Sequence, residues 1–297
     1  EIIAQRDQAH ETNKIISKQK EHITESINYA GQLQRALIPE IENVLKDFEH
    51  FILFKPKELV SGDFYWVYEH GNRKFITVAD CTGHGVPGAL LSVLGITFLN
   101  EILSHADKNI SAADVLNKLR TRIVDVFKHD NKDEQRQDGM DMALYILEKN
   151  KFELQFAGAF NPLFVLRKKT SEQPSFTTDA KNIKIVENDS HILINLSGDS
   201  MPIGISRINK KYSNQSFNVQ KGDTLYVFSD GFVDQFGGER GKKFMIVNFR
   251  KLLLNIQDKN MSEQKDFLNK TIEDWRAQYT KRRIPQLDDI TILGLRV

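Results

Sequence analysis

The chain has 297 residues, enough to bury a substantial core as one large domain or two smaller ones. Its 41 basic and 40 acidic residues leave a net charge of +1, which indicates neither a nucleic-acid-binding protein nor an acidic disordered one. The single cysteine, Cys81, excludes an intrachain disulfide and favours a reducing, cytoplasmic location.

Neither a secretion signal nor a membrane span is expected within the chain. The N-terminal segment is polar rather than basic and then apolar, and no apolar run is expected to approach the ~18–20 residues that cross a bilayer. Because the chain begins with Glu1 rather than Met, we expect a fragment of a longer protein. A sensor or membrane segment upstream is compatible with this expectation.

Residues 1–38 form the first predicted unit, a long helix that leads into the remainder and ends before Pro39. One heptad position is apolar throughout, with Ile2, Ala9, Ile16, Ile23, Ala30 and Leu37. The paired position is mostly polar, with Gln5, Thr12, Gln19, Ser26 and Leu33. This pattern predicts a marginal parallel coiled coil, in which residues 1–30 form a homodimer and connect to an upstream sensor domain. The alternative is a helix packed on its own domain, which we favour for residues 33–37.

Residues 39–297 form the second predicted unit. Strands are predicted at 50–54, 64–68, 74–79, 142–147, 152–157, 163–166, 192–195, 225–228 and 290–296. Helices are predicted at 87–103, 112–127, 244–256 and 263–279. Residues 168–189 are polar and interrupted by proline, which predicts an exposed loop. Because the strands follow one another with helices grouped between them, we predict an α/β (α+β) sandwich of two mainly antiparallel sheets flanked by helices.

Acidic residues stand at the edges of four predicted strands. Asp63 precedes the strand at 64–68, and Asp80 follows the strand at 74–79 and begins a glycine-rich turn. Asp230 follows the strand at 225–228, and Asp288 and Asp289 precede the last strand. Each alone could be a turn residue, because Asp and Gly favour turns. Together they predict carboxylates that converge at one end of the sheets, a donor set that selects Mg²⁺ or Mn²⁺ over zinc.

Four segments surround these acidic residues: Ser61-Gly-Asp-Phe-Tyr-Trp66, Ala79-Asp-Cys-Thr-Gly-His-Gly-Val-Pro-Gly-Ala89, Ser229-Asp-Gly-Phe-Val-Asp-Gln235 and Asp288-Asp-Ile-Thr291. In these segments the chain resembles the SpoIIE-type branch of the metal-dependent PPM/PP2C serine/threonine phosphatases, which includes regulators of sigma-factor partner switching. The order and spacing of the segments agree with the family from about residue 30 onward. Ser61 stands where the family usually has Gly, and Trp66 stands where Asp is common, which removes one carboxylate near the site.

The resemblance implies a protein phosphatase that hydrolyses phosphoserine or phosphothreonine on a partner, an anti-sigma-factor antagonist in this branch. In the family, two Mn²⁺ or Mg²⁺ ions share a bridging Asp and hold a water between them. By motif matching Asp80 is the bridge, and the backbone carbonyl of Cys81 is a ligand. Asp63 would bind one ion, and Asp230 and Asp288 the other. Asp289 is expected to support the ligands without binding an ion itself.

His84 is a candidate proton donor to the departing serine oxygen, because histidine titrates near neutral pH. The alternative is a histidine that only caps the turn or faces solvent. Lys55, Lys57 and the basic residues at 281–283 are candidate phosphate contacts, with solvated surface as the alternative. A catalytically silent interaction module and a hydrolase of small phosphate esters remain competing functions. The intact carboxylates Asp63, Asp80, Asp230 and Asp288 argue against the silent module.

Overall fold

The computed structural model describes residues 2–128, 138–148, 151–169, 183–279 and 283–297. Its helices are α1 (Ile2–Leu37), α2 (Ile41–Val44), α3 (Val86–Ser104), α4 (Ala112–Lys128), α5 (Gly231–Asp234), α6 (Ile246–Asn255) and α7 (Met261–Ala277). Its strands are β1 (Glu49–Lys55), β2 (Phe64–His70), β3 (Arg73–Cys81), β4 (Gly139–Glu148), β5 (Glu153–Ala159), β6 (Leu163–Lys168), β7 (Ile183–Glu187), β8 (His191–Leu196), β9 (Ile203–Gly204), β10 (Gln215–Asn218), β11 (Thr224–Phe228), β12 (Phe236–Gly237), β13 (Lys242–Lys243) and β14 (Ile290–Arg296).

Two large antiparallel sheets form the centre of the fold. The first has the strand order β1-β14-β11-β6-β8-β7, and the second has the order β10-β5-β4-β3-β2, with β9 paired to β4. β12 and β13 form a separate hairpin. In the first sheet β14, the last strand of the chain, lies between β1 and β11. The chain therefore brings Asp230, after β11, and Asp288, before β14, to the same edge.

The fold has four layers: helices, the second sheet, the first sheet and helices again. They form because apolar side chains lie on both faces of each sheet. Val78, Tyr145 and Phe156 of the second sheet pack against Val227 and Leu293 of the first, which fills the space between the sheets. α3 and α4 cover the outer face of the second sheet, and α6 and α7 cover the outer face of the first. Because both sheets are covered on both faces, several strands, β11 among them, are buried along their whole length. The predicted two-sheet sandwich flanked by helices is confirmed.

α1 extends from this sandwich and contacts it only near its C-terminal end. In the described part of the helix, Gly31 and Gln34 are the buried residues. A side chain at Gly31 would stand 2.8 Å from the carbonyl oxygen of Leu59, so glycine allows the helix to approach this backbone. The helix therefore packs on the domain near its C-terminal end, as expected. The contact is made by Gly31 and Gln34, and Leu33 and Leu37 stay exposed.

α3 corrects one expectation from the sequence. This 19-residue helix has a mean hydropathy of 1.7, so by length and composition alone it could cross a membrane. Half of it is buried, and Leu91, Ile96, Leu99 and Leu103 pack in the core against the second sheet. A helix covered by a sheet on one side and by α4 on another is apolar for reasons of core packing.

One strand lies where the sequence predicted a loop. β7 occupies 183–187, and its residues are exposed or half-buried because β7 is the edge of its sheet, which weakens the period-two signal. Residues 170–182 of the predicted loop lie outside the described part of the chain. β9, β12 and β13 have two residues each, too few to carry a pattern.

Candidate active site

Glycines bring the Asp63 segment onto the turn that follows β3. A Cβ added to Gly62 would stand 2.7 Å from the carbonyl oxygen of Gly83 and 3.1 Å from that of Cys81. A Cβ at Gly88, in the first turn of α3, would stand 2.2 Å from the Gly83 oxygen. Backbone therefore packs directly on backbone here, which is possible only without side chains. As a result Asp63 and Asp80, from separate motifs, come close together.

A second backbone contact joins the other two acidic motifs. A Cβ at Gly231 would stand only 1.9 Å from the carbonyl oxygen of Asp289. The turn after β11 thus lies against the segment that enters β14. Because Asp230 precedes Gly231 and Asp288 precedes Asp289, this contact brings both carboxylates to one place.

These segments enclose a small polar cavity at the edge of the sheets. Its volume is about 260 Å³, and it is lined by Asp80, Cys81, Thr82, Gly83, His84, Asp141, Asp230 and Asp288. Four of the eight lining residues are aspartates, and none is lysine or arginine. A larger cavity of about 660 Å³ lies beside Phe152, but Glu153 is its only carboxylate. Of these two cavities, the smaller one therefore contains the cluster of carboxylates.

Burial and mutual repulsion make Asp80, Asp141 and Asp230 hard to ionise together. Burial, followed by the charges of Asp63 and Asp230, raises the pKa of Asp80 to about 10. Burial and then Asp230 raise the pKa of Asp141 to about 6. The pKa of Asp230 is raised by burial first and by Asp234 next. A cation in the cavity would stabilise the ionised forms that these effects disfavour.

Asp63 lies behind this cavity and is not one of its lining residues. The side chain is 2% exposed, and its Oδ2 accepts hydrogen bonds from Ser229 Oγ at 2.5 Å and Thr291 Oγ1 at 2.8 Å. Burial raises the pKa of Asp63 to about 8, against the lowering by these two hydroxyls. Asp63 is near enough for its charge to raise the pKa of Asp80. Its two hydroxyl partners come from the motifs that carry Asp230 and Asp288.

Asp289 holds the backbone of the Asp63 segment. Its Oδ1 accepts a hydrogen bond from the Lys57 amide at 2.7 Å, and its Oδ2 accepts one from the Gly62 amide at 2.8 Å. The side chain is buried and points toward these amides. Both carboxylate oxygens are thus engaged by backbone amides. A supporting role for Asp289 without an ion of its own stays a prediction.

The donor set fits hydrated divalent cations. Among the described residues, no three His, Cys, Asp or Glu side chains are close enough to enclose an ion by themselves. Mg²⁺ does not require such a cage, because it keeps several waters and uses one or two carboxylates. Three features suit such an ion. Aspartates converge on the cavity, and its lining contains no lysine or arginine. The Cys81 carbonyl oxygen lies beside Gly62, which has no side chain.

The Cys81 side chain takes no part in this donor set. It is 3% exposed and packs in the core with Ala79 and Met140. Burial raises the pKa of its thiol well above the ordinary value, which disfavours the nucleophilic thiolate. Its backbone oxygen is the group that faces the Gly62 backbone, as described above.

His84 lines the cavity and is held by a carboxylate. Its Nδ1 lies 2.9 Å from Glu58 Oε1, and both side chains are about half exposed. Glu58 occupies the space that a side chain at Gly85 would fill, since a Cβ there would stand 2.8 Å from Glu58 Oε2. The sequence did not identify Glu58 as the partner of His84. The contact with Glu58 orients the imidazole ring.

The lysine and arginine candidates are mostly engaged elsewhere. Lys55 Nζ donates to Asn269 Oδ1 at 2.7 Å and lies 2.8 Å from Glu273, which attaches it to α7. Arg283 also pairs with Glu273. Residues 281 and 282 lie outside the described part of the chain. Lys57 contributes its backbone amide to Asp289. For Lys55 and Arg283, structural ion pairs explain the side chains better than phosphate binding does.

Asp141 is a site residue that the sequence reasoning missed. It lies on β4 directly opposite Asp80 of β3, and its side chain lines the cavity. The signal was present, because Asp141 immediately precedes the strand predicted at 142–147, as Asp63 precedes its own strand. Trp66, where the family often has Asp, is instead buried, and its Nε1 donates to Asn100 Oδ1 at 2.9 Å.

The comparisons with known proteins identify a family and a fold. Residues 70–297 match the family model described as Stage II sporulation protein E (SpoIIE). The SiaA-PP2C domain of Pseudomonas aeruginosa superposes with a TM-score of 0.73 at 29% identity, over 94% of this chain and 98% of that one. The PP2C phosphatase domain of SpoIIE from Bacillus subtilis, with part of its regulatory domain, gives 0.61 at 18% identity, over 84% of this chain and 63% of that one.

A more distant structure carries metal. The catalytic domain of the serine/threonine phosphatase PstP, in complex with two manganese ions, gives a TM-score of 0.52 at 13% identity, over 84% of this chain and 97% of that one. At this identity the likeness concerns the fold alone. No curated protein matches the chain.

Proposed function

The chain belongs to the SpoIIE family of PP2C-type protein serine/threonine phosphatases, and we propose that it uses two Mn²⁺ or Mg²⁺ ions, held in the carboxylate cavity, to hydrolyse phosphoserine or phosphothreonine on a partner protein. The observation that carries the proposal is the convergence of Asp80, Asp141, Asp230 and Asp288 on one cavity without a lysine or arginine in its lining.

The chain's own residues would divide the work as follows. Asp80 would bridge the ions, with the Cys81 carbonyl as a further ligand. Asp63 would bind one ion, and Asp230 and Asp288 would bind the other. When bound, the ions supply the positive charge that acidifies the attacking water and offsets the negative charge of the phosphoryl group.

His84 would hold the proton that the departing serine or threonine oxygen needs. Its Nδ1 contact with Glu58 leaves Nε2 as the ring atom available to the cavity. The Glu58 contact would orient the ring, and His84 would then act as the general acid through Nε2.

Hydrolysis of a phosphopeptide with and without Mn²⁺ tests this function. We expect phosphate release from a phosphoserine peptide that depends on Mn²⁺ and disappears when a chelator is added. p-Nitrophenyl phosphate added as a competitor separates a protein phosphatase from a hydrolase of small esters, since the latter would prefer the small ester. Absence of release from any phosphate ester would favour the silent interaction module instead.

The partner class follows from the family branch. We propose an anti-sigma-factor-antagonist-like phosphoprotein as the substrate, and the support is the resemblance alone. Incubating the enzyme with a phosphorylated protein of that class, and with an unrelated phosphoprotein as the control, tests the choice. Equal rates of hydrolysis on both phosphoproteins would contradict this substrate class. A cytoplasmic location is part of the same proposal and is supported by the single buried thiol of Cys81.

We propose that α1 regulates the carboxylate cavity. The hydrogen bonds of Gln34 support this proposal. Gln34 is 4% exposed. Its Nε2 donates to the Ser61 carbonyl at 2.5 Å and to Ser92 Oγ at 2.6 Å, and its Oε1 accepts from the Ser61 amide at 3.1 Å. Ser61 stands two residues before Asp63, and Ser92 lies on α3, which follows the Asp80 turn. One side chain of the helix thus bonds to the segment that leads to Asp63 and to the helix that follows the Asp80 turn.

The same helix would dimerise through residues 1–30. Ile16 and Ile23 of the heptad position are 54% and 60% exposed in the single chain. Association through this face would bury them, while Gln5, Thr12 and Gln19 keep the dimer marginal. A marginal helix pair suits a switch, because a small interaction with an upstream sensor can shift its population.

Light scattering and phosphatase rates, measured for the full chain and for a version that starts at Ala30, test this regulation. We expect the truncated form to be monomeric and to have an altered rate. If truncation leaves both the association state and the rate unchanged, α1 is a tether and the regulatory proposal fails.

A further inference from the structure

Asp288 differs from Asp80 and Asp141 in how it is held. Those two residues lie within β3 and β4, whose backbones are fixed by their sheet. Asp288 lies on the irregular segment 283–289, and its side chain is exposed. A metal ligand on such a segment takes its position from the side chains that hold the segment, so those side chains affect metal affinity.

Gln235 is the first residue that holds this segment. It is 0% exposed, and its Nε2 donates to the Pro285 carbonyl at 3.0 Å. Its Oε1 accepts a hydrogen bond from the Leu287 amide at 3.1 Å. The backbone of Gln235 is itself anchored, because its carbonyl oxygen accepts from the Phe244 amide at 2.9 Å and from Trp275 Nε1 at 3.1 Å. Gln235 directly follows α5, at whose N-terminus Asp230 stands.

Gln286 holds the same segment from the other side. Its Nε2 donates to the Lys55 carbonyl, at the end of β1, at 2.7 Å and to the Asp288 carbonyl at 2.9 Å. The Asp288 residue is therefore attached to the first sheet by one glutamine and to the Asp230 turn by another.

We propose that Gln235 and Gln286 are positioning residues of the metal site, which hold the segment from Pro285 to Asp288 so that the Asp288 carboxylate meets the same ion as Asp230. This rests on the proposed function in so far as Asp288 is a metal ligand. Both glutamines would act through Asp288, because neither of them lines the cavity.

Calorimetric titration of the full chain with Mn²⁺ tests the proposal. Gln235→Met keeps the size of the side chain but removes the bonds to Pro285 and Leu287. The matched control is Gln264→Met, because Gln264 is also 0% exposed and its partners are Tyr226 and Lys259. We expect Gln235→Met to raise the Kd for Mn²⁺ on the order of 10- to 100-fold. We expect Gln264→Met to leave this Kd unchanged while it lowers the melting temperature to a similar degree.

Gln286→Ala is the second variant, and it should fold because Gln286 is only half-buried. Loss of its two bonds should raise the Kd for Mn²⁺ roughly two- to tenfold. An unchanged Kd in Gln235→Met and Gln286→Ala overturns the proposal. If Gln235→Met does not fold, the Kd of Gln286→Ala decides alone, in the same sense. Failure of the wild-type chain to bind Mn²⁺ is a different result, which overturns the proposed function together with this inference.

Discussion

The metal-site edge and the N-terminal helix are held by the rest of the protein in opposite ways. At the edge, Gly62, Gly88 and Gly231 let backbone segments touch, and a methyl group at any of them would meet a carbonyl oxygen at 1.9 to 2.7 Å. α1 is exposed over most of its length, and in its described part only Gly31 and Gln34 are buried. The edge therefore has little freedom to move, whereas the helix can leave its docking place at small cost.

The proposed regulation through α1 requires such a difference. A cluster of buried carboxylates repels itself and needs a rigid frame to keep its geometry until cations bind. A control element needs the reverse, two arrangements of similar free energy. Gln34 connects the two regions, because its side chain bonds to Ser61 of the edge and to Ser92 of α3.

The largest expected effect comes from Asp80→Asn. The carboxamide fits the space of the carboxylate, but it carries no charge for the cations, so we expect hydrolysis to fall at least about a thousandfold, since bound metal supplies several kcal/mol to the transition state. Phosphopeptide turnover measures the loss, and circular dichroism checks that the fold is intact. Wild-type turnover with full metal occupancy would show that Asp80 does not bridge the ions.

Asp230→Asn and Asp288→Asn should each weaken Mn²⁺ binding more than they weaken folding. Removing one charge from the donor set should raise the Kd by about tenfold or more, because carboxylate number tunes the affinity of hard-cation sites. Calorimetric titration and thermal melting provide the two quantities. If both variants bind Mn²⁺ like the wild type, these carboxylates are turn residues only.

Gly231→Ala tests the rigidity of the edge. Its methyl group would stand 1.9 Å from the Asp289 oxygen. We therefore expect a stability loss of about 1–3 kcal/mol and weaker Mn²⁺ binding, because the two acidic segments must separate. Gly222→Ala is the control: a Cβ there meets nothing within 4 Å, although its φ of +92° costs some stability. Tight Mn²⁺ binding by Gly231→Ala would mean that the edge is softer than its contacts indicate.

Gln34→Ala has the smallest expected effect and tests the link between the regions. The substitution leaves the buried Ser61 groups without this partner, a cost of about 1–3 kcal/mol that falls on helix docking. We expect faster proteolysis of α1 and a changed Mn²⁺-dependent rate. Gln32→Ala, two residues away and exposed, is the matched control and should change neither. If both variants behave alike, Gln34 does not couple the helix to the site.

The sequence predicted the sandwich well because its buried strands carry runs of apolar and β-branched residues. Strand β11, for example, is buried at all five positions and bounded by turn residues. The exposed edge strand β7 was missed because its residues lack a buried face to impose a pattern. The length of the apolar run in α3 was underestimated, although the two ends of this helix were predicted within one residue.

The acidic site was predictable in outline because Asp63, Asp80, Asp230 and Asp288 each mark a strand edge. Asp141 obeys the same rule and could have been found. The supporting glutamines could not, since most of their partners are distant in sequence. Gln34 bonds to residues 27 and 58 positions away, and Gln235 to residues 50 and 52 positions away. Such pairs depend on the tertiary fold, and no local pattern encodes them.

Diffraction from crystals soaked in Mn²⁺, recorded at a wavelength where manganese scatters anomalously, tests the central claim most directly. The account predicts two anomalous peaks about 3.5–4 Å apart in the cavity, with Asp80 between them and Asp230 and Asp288 beside one of them. Peaks at another group of residues, or none in this cavity at saturating Mn²⁺, would contradict the claim that these carboxylates form the metal centre.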